Sequence, residues 1–281
     1  MDTTKKVNDD FFTEVSNNKP FFKAAFEGFA GSGKTFTAAQ LVIGLHKKIK
    51  STKPIVMIDT EKASKFLKPL FDEAGIKLLV KETKSLVDLR EAMKKCREGF
   101  SDIILIDSLS HIYENFLEAY KVKTGHARLQ FQDWGIIKPT WKTEFSDPLV
   151  NDPYNLVFCG RAGYEYSNEI DAETGKREIY KSGVKMKVEG ETAYEPDMLV
   201  LMERFEEMLG KEKKVWREAT IVKDRSNLID GKTFVNPTYS DFAPVIDAML
   251  ANASNEPTKP MGDDTQIIKS EEDKQIGRAH V

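Results

Sequence analysis

Gly28, Gly31, Gly33, Lys34 and Thr35 stand at the spacing G-x-x-x-x-G-K-[ST], in the run Gly28-Phe29-Ala30-Gly31-Ser32-Gly33-Lys34-Thr35. A loop that wraps a polyphosphate must turn its backbone N–H groups inward, and side chains at the glycines would obstruct that curl. Lys34 then supplies a cation for the β- and γ-phosphates, and the Thr35 hydroxyl a ligand for Mg²⁺. A helix starting here adds its positive N-terminal end. Ser32 and Phe36 complete the candidate nucleotide-contact set.

The elements around this run fit that chemistry. The apolar run Phe21 to Glu27 predicts a strand before the loop, and Ala38, Val42, Leu45 and Ile49 predict a helix after it. Pro54-Ile55-Val56-Met57-Ile58-Asp59-Thr60-Glu61 reads as a buried parallel strand ending in two carboxylates. Ligands of open α/β sheets sit at the carboxyl ends of strands, so Asp59 and Glu61 are expected beside the phosphates, with Glu61 aligning the attacking water. Ile103-Ile104-Leu105-Ile106-Asp107 is a second such strand, and its carboxylate suits a metal ion bound to the phosphates. A third, Asn155-Leu156-Val157-Phe158-Cys159-Gly160-Arg161, ends in a cation that could sense the γ-phosphate.

The chain has 281 residues, enough for one large core, and its 40% hydrophobic and 31% charged composition is that of a globular protein. No apolar run approaches the length that spans a bilayer. The start lacks a signal-peptide apolar segment, and Cys96 and Cys159 lack ligand-like spacing, so reduced core thiols in a cytoplasm are expected. A net charge of −3 leaves nucleic-acid binding to local patches.

One such patch is Lys121 to Lys138, with four Lys/Arg (Lys121, Lys123, Arg128, Lys138) against one Asp and with Phe131, Trp134 and Trp141 on or near it. A second is Lys176 to Lys187, with Lys176, Arg177, Lys181, Lys185 and Lys187 against one Glu. Cations with interleaved aromatics suit single-stranded DNA, whose phosphates need charge and whose bases need flat partners. The competing interpretation is a solvated helix with core aromatics for the first and a solvated surface for the second.

Elsewhere, Ala63 to Ala74 has helical periodicity, with Pro69 predicting a break. A short strand is expected over 77–80, then a helix capped by Ser85 and stopped by Gly99. Asp171-Ala172-Glu173-Thr174-Gly175 reads as a hairpin turn. Strands are expected over 198–205 and 215–224, a turn at Asp230-Gly231-Lys232, and a last amphipathic helix presenting Phe242, Val245, Ile246 and Met249. Lys223 and Arg225, at the end of the second strand, have the K-x-R spacing of a finger acting on a neighbouring subunit's ATP. The expected organisation is a loose arm over 1–19 carrying Phe11 and Phe12, one ATPase domain over 20–250, and a disordered polar tail over 251–281. Residues 276–281 resemble a translated sequencing adapter and are excluded from fold reasoning.

With these motifs in place, residues 20 to 250 resemble the RecA-like ATPases, and more closely the small RecA-core ATPases of tailed bacteriophages grouped with single-strand annealing recombinases. GFAGSGKT is similar to the family's Walker A, MIDTEKAS to the segment whose glutamate activates water, and ILIDSLS to Walker B. FCGRAGYEY occupies the sensor strand, with Arg161 where RecA has a glutamine, and VKDRS resembles the paired cations that cross the subunit interface. The resemblance implies an α/β RecA-like P-loop fold, with a mostly parallel sheet flanked by helices and antiparallel C-terminal strands. It places the sensor strand between the P-loop and Walker B strands.

The implied activity is hydrolysis of Mg·ATP, stimulated by single-stranded DNA, in phage recombination or replication within an infected bacterial host. Lys34, Glu61, Arg161, Lys223 and Arg225 would be catalytic, and Thr35 and Asp107 would hold Mg²⁺. Expected partners are ATP, single-stranded DNA, further copies of the chain with ATP at subunit interfaces, and a single-strand-binding protein. Alternatives are a replicative helicase or helicase loader, a small-molecule P-loop kinase, and a non-hydrolysing ATP-gated scaffold.

Overall fold

The computed structural model describes residues 21–170, 177–210 and 212–251, and for 167–170, 177–181 and 209 the backbone alone. The expected N-terminal arm, the Asp171–Gly175 turn, Lys176 and the polar tail beyond Ala251 lie outside the described residues.

The strands are β1 (Lys23–Gly28), β2 (Ile55–Asp59), β3 (Leu78–Glu82), β4 (Ile103–Asp107), β5 (Asn155–Ile170), β6 (Arg177–Met186), β7 (Met198–Leu209), β8 (Glu212–Asp224) and β9 (Thr233–Val235). The helices are α1 (Lys34–Lys48), α2 (Ser64–Glu73), α3 (Leu86–Arg97), α4 (Leu109–Thr124), α5 (Trp134–Trp141), α6 (Asp147–Asn151) and α7 (Tyr239–Ala251). The sheet runs β3-β2-β4-β5-β1-β7-β8-β9, with β6 paired to β5. Strands β3, β2, β4, β5, β1 and β7 pair in parallel, whereas β6, β8 and β9 pair antiparallel to their neighbours. The protein is therefore α/β, with a mostly parallel central sheet flanked by helices and antiparallel strands.

Both faces of the sheet are covered, which is why its central strands are continuous apolar runs. Ala24 and Phe26 of β1 and Ile103 and Leu105 of β4 pack with Leu41, Leu45, Phe71 and Phe242 of α1, α2 and α7. The alternate residues Ala25, Ile104 and Ile106 pack with Leu89, Met93, Ile112 and Trp141 of α3, α4 and α5. Cys96 and Cys159 are buried free thiols in these two layers. No helix among the described residues is long and apolar enough to cross a membrane.

The expected break at Pro69 is absent: α2 is one helix with the proline inside it. The ring sits in its sixth position, so only the bond to the Lys65 carbonyl is forfeited. Burial of Leu67 and Phe71 on either side holds the segment helical. Strand β3 ends at Glu82, beyond the expected 80. Ser85 caps α3 as expected, its hydroxyl accepting from the Asp88 N–H.

The larger departure concerns β5 to β8. β1 pairs β5 as far as Gly28 opposite Arg161, and β7 as far as Gly28 opposite Met202. Both neighbours run on past that point: β5 continues to Ile170 against β6, and β7 to Leu209 against β8. The loop after Gly28 thus emerges between two antiparallel ribbons. A ribbon open to solvent needs no apolar run, so these extensions are absent from the hydrophobic pattern.

Candidate functional site

The loop at the end of β1 has the backbone its sequence predicts. Gly31 and Gly33 have φ of 76° and 94°, in the left-handed region that favours glycine. Gly33 is also the N-cap of α1, whose first-turn N–H groups have no carbonyl one turn back. Lys34 Nζ lies against its own loop, donating to the Phe29 carbonyl at 3.0 Å and reaching Ser32 Oγ at 3.5 Å.

Thr35 Oγ1 donates to Asp107 Oδ2 at 2.6 Å, joining the loop helix to the end of β4. Burial pushes the Asp107 carboxyl up to about 6; the Thr35 hydrogen bond opposes the rise and the Glu61 charge adds to it. A cation beside Asp107 would favour its ionised form. Among the described residues no group of three or more His, Cys, Asp or Glu could hold a metal alone. Magnesium asks less of the protein, since it keeps several waters and takes one or two protein oxygens plus substrate phosphates. One hydroxyl beside one buried carboxylate fits that demand.

Beyond β2 the two acidic residues part company. Asp59 turns into its own loop, accepting from the N–H groups of Glu61 and Ala63 at 3.1 Å and of Ser64 at 2.8 Å. Burial works to raise the Asp59 pKa, but these bonds outweigh it and the net shift is downward. Asp59 thus organises the turn rather than facing phosphates, contrary to its expected place. Glu61 faces the cleft. Its Oε1 is 3.1 Å from both Nε and Nη2 of Arg161, 3.4 Å from Ser108 Oγ and 3.6 Å from His111 Nδ1.

Thr60 fixes this cluster from behind. Its hydroxyl accepts from the Ser108 N–H at 2.9 Å, leaving its own proton for His111 Nδ1 at 2.7 Å. Burial and then the Arg161 charge lower the His111 pKa, which suits a neutral ring in that accepting role. Arg161 is held by its own backbone, its N–H donating to Ser110 Oγ at 2.9 Å. Thr60, Ser108 and Ser110 lie inside the motif segments without an assigned role there, and His111 lies just outside them; their contacts depend on β2 and β5 both lying beside β4.

The loop, Phe36, Glu61, Arg161, Lys187 and Arg217 line one cleft of about 520 Å³. Among the described residues four cations line it (Lys34, Arg161, Lys187 and Arg217) against one carboxylate, Glu61, in a chain of net charge −3. That concentrates positive potential where a polyanion would sit. Phe36 is half-exposed at its edge, and Phe29 packs on Tyr164 of the β5–β6 ribbon with ring centroids 4.7 Å apart.

The other expected site residues are dispersed. Lys223 and Arg225 lie where β8 pairs with the start of β7, at the end of the sheet opposite the loop. Lys223 Nζ donates to the carbonyls of Tyr194 and Pro196, and Arg225 pairs with Asp197 at 3.3 Å. Lys121 pairs with Glu118 on α4, while Lys123 and Arg128 are exposed on and after its last turn. The aromatics of that segment divide: Phe131 is 96% exposed, whereas Trp141 is fully buried, donating to Thr192 Oγ1 at 2.9 Å. Trp141 is therefore core, not a base-stacking surface. Arg177 and Lys181 lie on β6, where only the backbone is described. Lys185 pairs with Glu165 at 3.4 Å, and Lys187 belongs to the cleft.

Arg204 and Arg217 are cations beside the loop that no motif marks. Their positions follow from the β7–β8 register, and neither Glu203-Arg204-Phe205-Glu206 nor Trp216-Arg217-Glu218 carries a signal that marks them. No protein-family model and no curated protein matches this chain.

Proposed function

We propose that this chain is a RecA-like ATPase that binds and hydrolyses Mg·ATP and couples the nucleotide to single-stranded DNA, in recombination or replication of a phage. The observation that carries this is the convergence of three strand ends. The glycine loop of β1, the Thr35–Asp107 bond to β4 and the Glu61 carboxylate beyond β2 meet at one cationic cleft.

Lys34 and the loop N–H groups would neutralise the β- and γ-phosphates, and Thr35 and Asp107 would hold Mg²⁺. The metal would supply charge neutralisation at the phosphate oxygens. Glu61 would align water, once Arg161 exchanges that carboxylate for the γ-phosphate. Positioning and fixed charge therefore account for the chemistry, without a covalent intermediate. Water as acceptor is favoured over a small molecule because the carboxylate that faces the cleft is hydrogen-bonded to serine and arginine and held near the loop.

Support for DNA is the β5–β6 ribbon next to the cleft, on which Tyr164 and Tyr166 are exposed and Tyr166 stands opposite Lys181 in register. The basic segment around Lys123, Arg128 and exposed Phe131 is a second candidate surface. Lys223 and Arg225 could serve only a neighbouring copy's ATP, since they sit at the far end of their own sheet.

The test is ATP hydrolysis at micromolar protein, with and without single-stranded DNA, beside Lys34→Ala. Stimulation by DNA that disappears in the variant is expected. Turnover indifferent to DNA would remove the DNA partner, and turnover unaffected by Lys34→Ala would remove the site. Directional unwinding of a tailed duplex would move the assignment to a helicase.

A further inference from the structure

Arg204 and Arg217 are direct register partners across β7 and β8. They share the sheet face of Met202 and Ala219, the face on which α1 packs. Like charges placed opposite each other on an antiparallel pair repel. The repulsion is only half answered within the ribbon. Glu206 takes Arg204 at 2.7 Å and Lys213 at 2.8 Å. Glu218, next to Arg217 in sequence, accepts from Trp216 Nε1 at 2.6 Å. Among the described residues no carboxylate forms an ion pair with Arg217.

Both stems lie on the loop. A Cβ on Gly33 would stand 2.6 Å from Arg217 Cδ, and one on Gly31 3.7 Å from Arg204 Cδ. Gly33 thus makes room for Arg217 as well as for the backbone turn, whereas the approach to Gly31 is ordinary van der Waals contact. Arg217 is also held in place: its N–H donates to Asn236 Oδ1 at 3.0 Å and its carbonyl accepts from the Asn236 N–H at 2.6 Å. A backbone pinned on both sides, a stem seated on the loop and a guanidinium lining the cleft describe a cation preorganised for an anion.

We infer that Arg217, with Arg204 behind it, binds the phosphate chain held by its own chain's loop, so that the polyphosphate is gripped from the β7–β8 ribbon as well as from Arg161 and Lys187. This deepens the proposed function and rests on the loop being a nucleotide site. It adds a cation in cis, distinct from any supplied by a neighbour. Sequence motifs could not mark it because neither arginine lies in one.

The test is calorimetric titration of the full chain with ATP and with inorganic triphosphate. Arg217→Ala should weaken both by about 10-fold, with Arg217→Lys recovering part of the loss. The variant's affinity should also depend less steeply on salt, which a purely structural role would not produce. Arg217 is exposed, so an unchanged thermal midpoint is expected. Wild-type affinity in Arg217→Ala, with binding lost in Lys34→Ala, would overturn the inference and leave the loop assignment standing. A wild-type chain that binds neither probe would overturn both.

Mixing separates cis from trans. Sites that need Lys34 and Arg217 from one chain cannot be rebuilt by mixing Lys34→Ala with Arg217→Ala, so no recovery of binding or turnover is expected. Recovery in the mixture would mean that Arg217 serves a neighbour, and would overturn the assignment in cis.

Discussion

The ends of β1, β2 and β4 and the two ribbons beside them contribute to one cleft, yet they are built on opposite principles. The strand ends sit on rods buried on both faces, so each functional group is the residue that follows an apolar run: Gly28, Asp107, and Glu61 just past β2. The ribbons leave the layered core and bring cations to the cleft by cross-strand register, Lys187 beside Arg161 at the root of one and Arg217 opposite Arg204 on the other. Burial fixes where the first set points, whereas cross-strand register fixes the second. The strand ends should therefore govern whether chemistry occurs, and the ribbons how tightly the anion is held.

Glu61→Gln tests the strand ends with the largest expected effect. It keeps the hydrogen-bonding shape and removes the charge that would align water, so turnover should fall by about 10²–10⁴-fold. ATP affinity should change far less. Steady-state hydrolysis and calorimetric binding on the same preparation check this. Unchanged turnover would strip Glu61 of its role and leave the contrast without a chemical side.

Glu27 sits at the junction of the two regions, on β1 next to the loop and beneath the β5–β6 ribbon. It is 4% exposed, and its Oε2 has no hydrogen-bond partner among the described residues. Burial raises its pKa from 4.5 to about 7; the Met186 N–H pulls against the rise and the Glu165 charge adds to it. The folded chain therefore holds this proton up to about pH 7, whereas the unfolded chain loses it near pH 4.5. Its contribution to stability is intact below about pH 4.5, shrinks as pH rises, and is fully lost above about pH 7. Glu27→Gln should match wild type near pH 4 and be more stable by up to about 3 kcal/mol at pH 8. Denaturant unfolding across that range checks it. A pH-independent difference between the two would mean that the junction does not bury a charge.

What was legible in the sequence follows the same divide. The apolar runs ending in Asp107 and Arg161, the glycine loop and the α1 periodicity located the cleft, because burial on both faces writes itself into consecutive residues. Asp59 was misplaced since its three N–H donors come from the turn after it, a local geometry that residue types do not encode. Pro69 predicts a break by propensity alone, and the burial of Leu67 and Phe71 overrides it. Trp141 stands in a basic segment whose residue types leave a base-stacking surface and a solvated helix with core aromatics equally open, and its burial decides for the core. Arg217 escaped altogether, since its meaning depends on standing opposite Arg204.

The outer face of the β7–β8 ribbon should matter little to the stability of the rest of the molecule. Phe205 and Trp216 stack there at 5.6 Å between ring centroids with 17° between their planes. They lie on the side away from Arg204 and Arg217. Trp216→Ala should cost about 1 kcal/mol by thermal unfolding, the value of an aromatic pair rather than of a core residue. The ribbon would loosen, so triphosphate affinity should fall with it. A loss of several kcal/mol would mean that the ribbon belongs to the cooperative core and that the division drawn between the two regions is wrong.

A small stability effect is expected at Arg161, where the two regions touch. Its guanidinium pairs with Glu61, but both side chains are substantially exposed, at 49% and 35%. Solvent screening limits such a pair to about 0.5 kcal/mol, so Arg161→Ala should scarcely move the unfolding midpoint. Turnover should nevertheless fall, because the cation that occupies Glu61 is also the one placed to exchange it for the γ-phosphate. Arg161→Lys should restore charge but not the paired contact from Nε and Nη2, and so recover only part of the rate. If turnover rose in Arg161→Ala, the pair would be a brake on Glu61 rather than a relay from the ribbon. If the midpoint fell with turnover in proportion, Arg161 would be structural, and the ribbon would hold the cleft open rather than read what enters it.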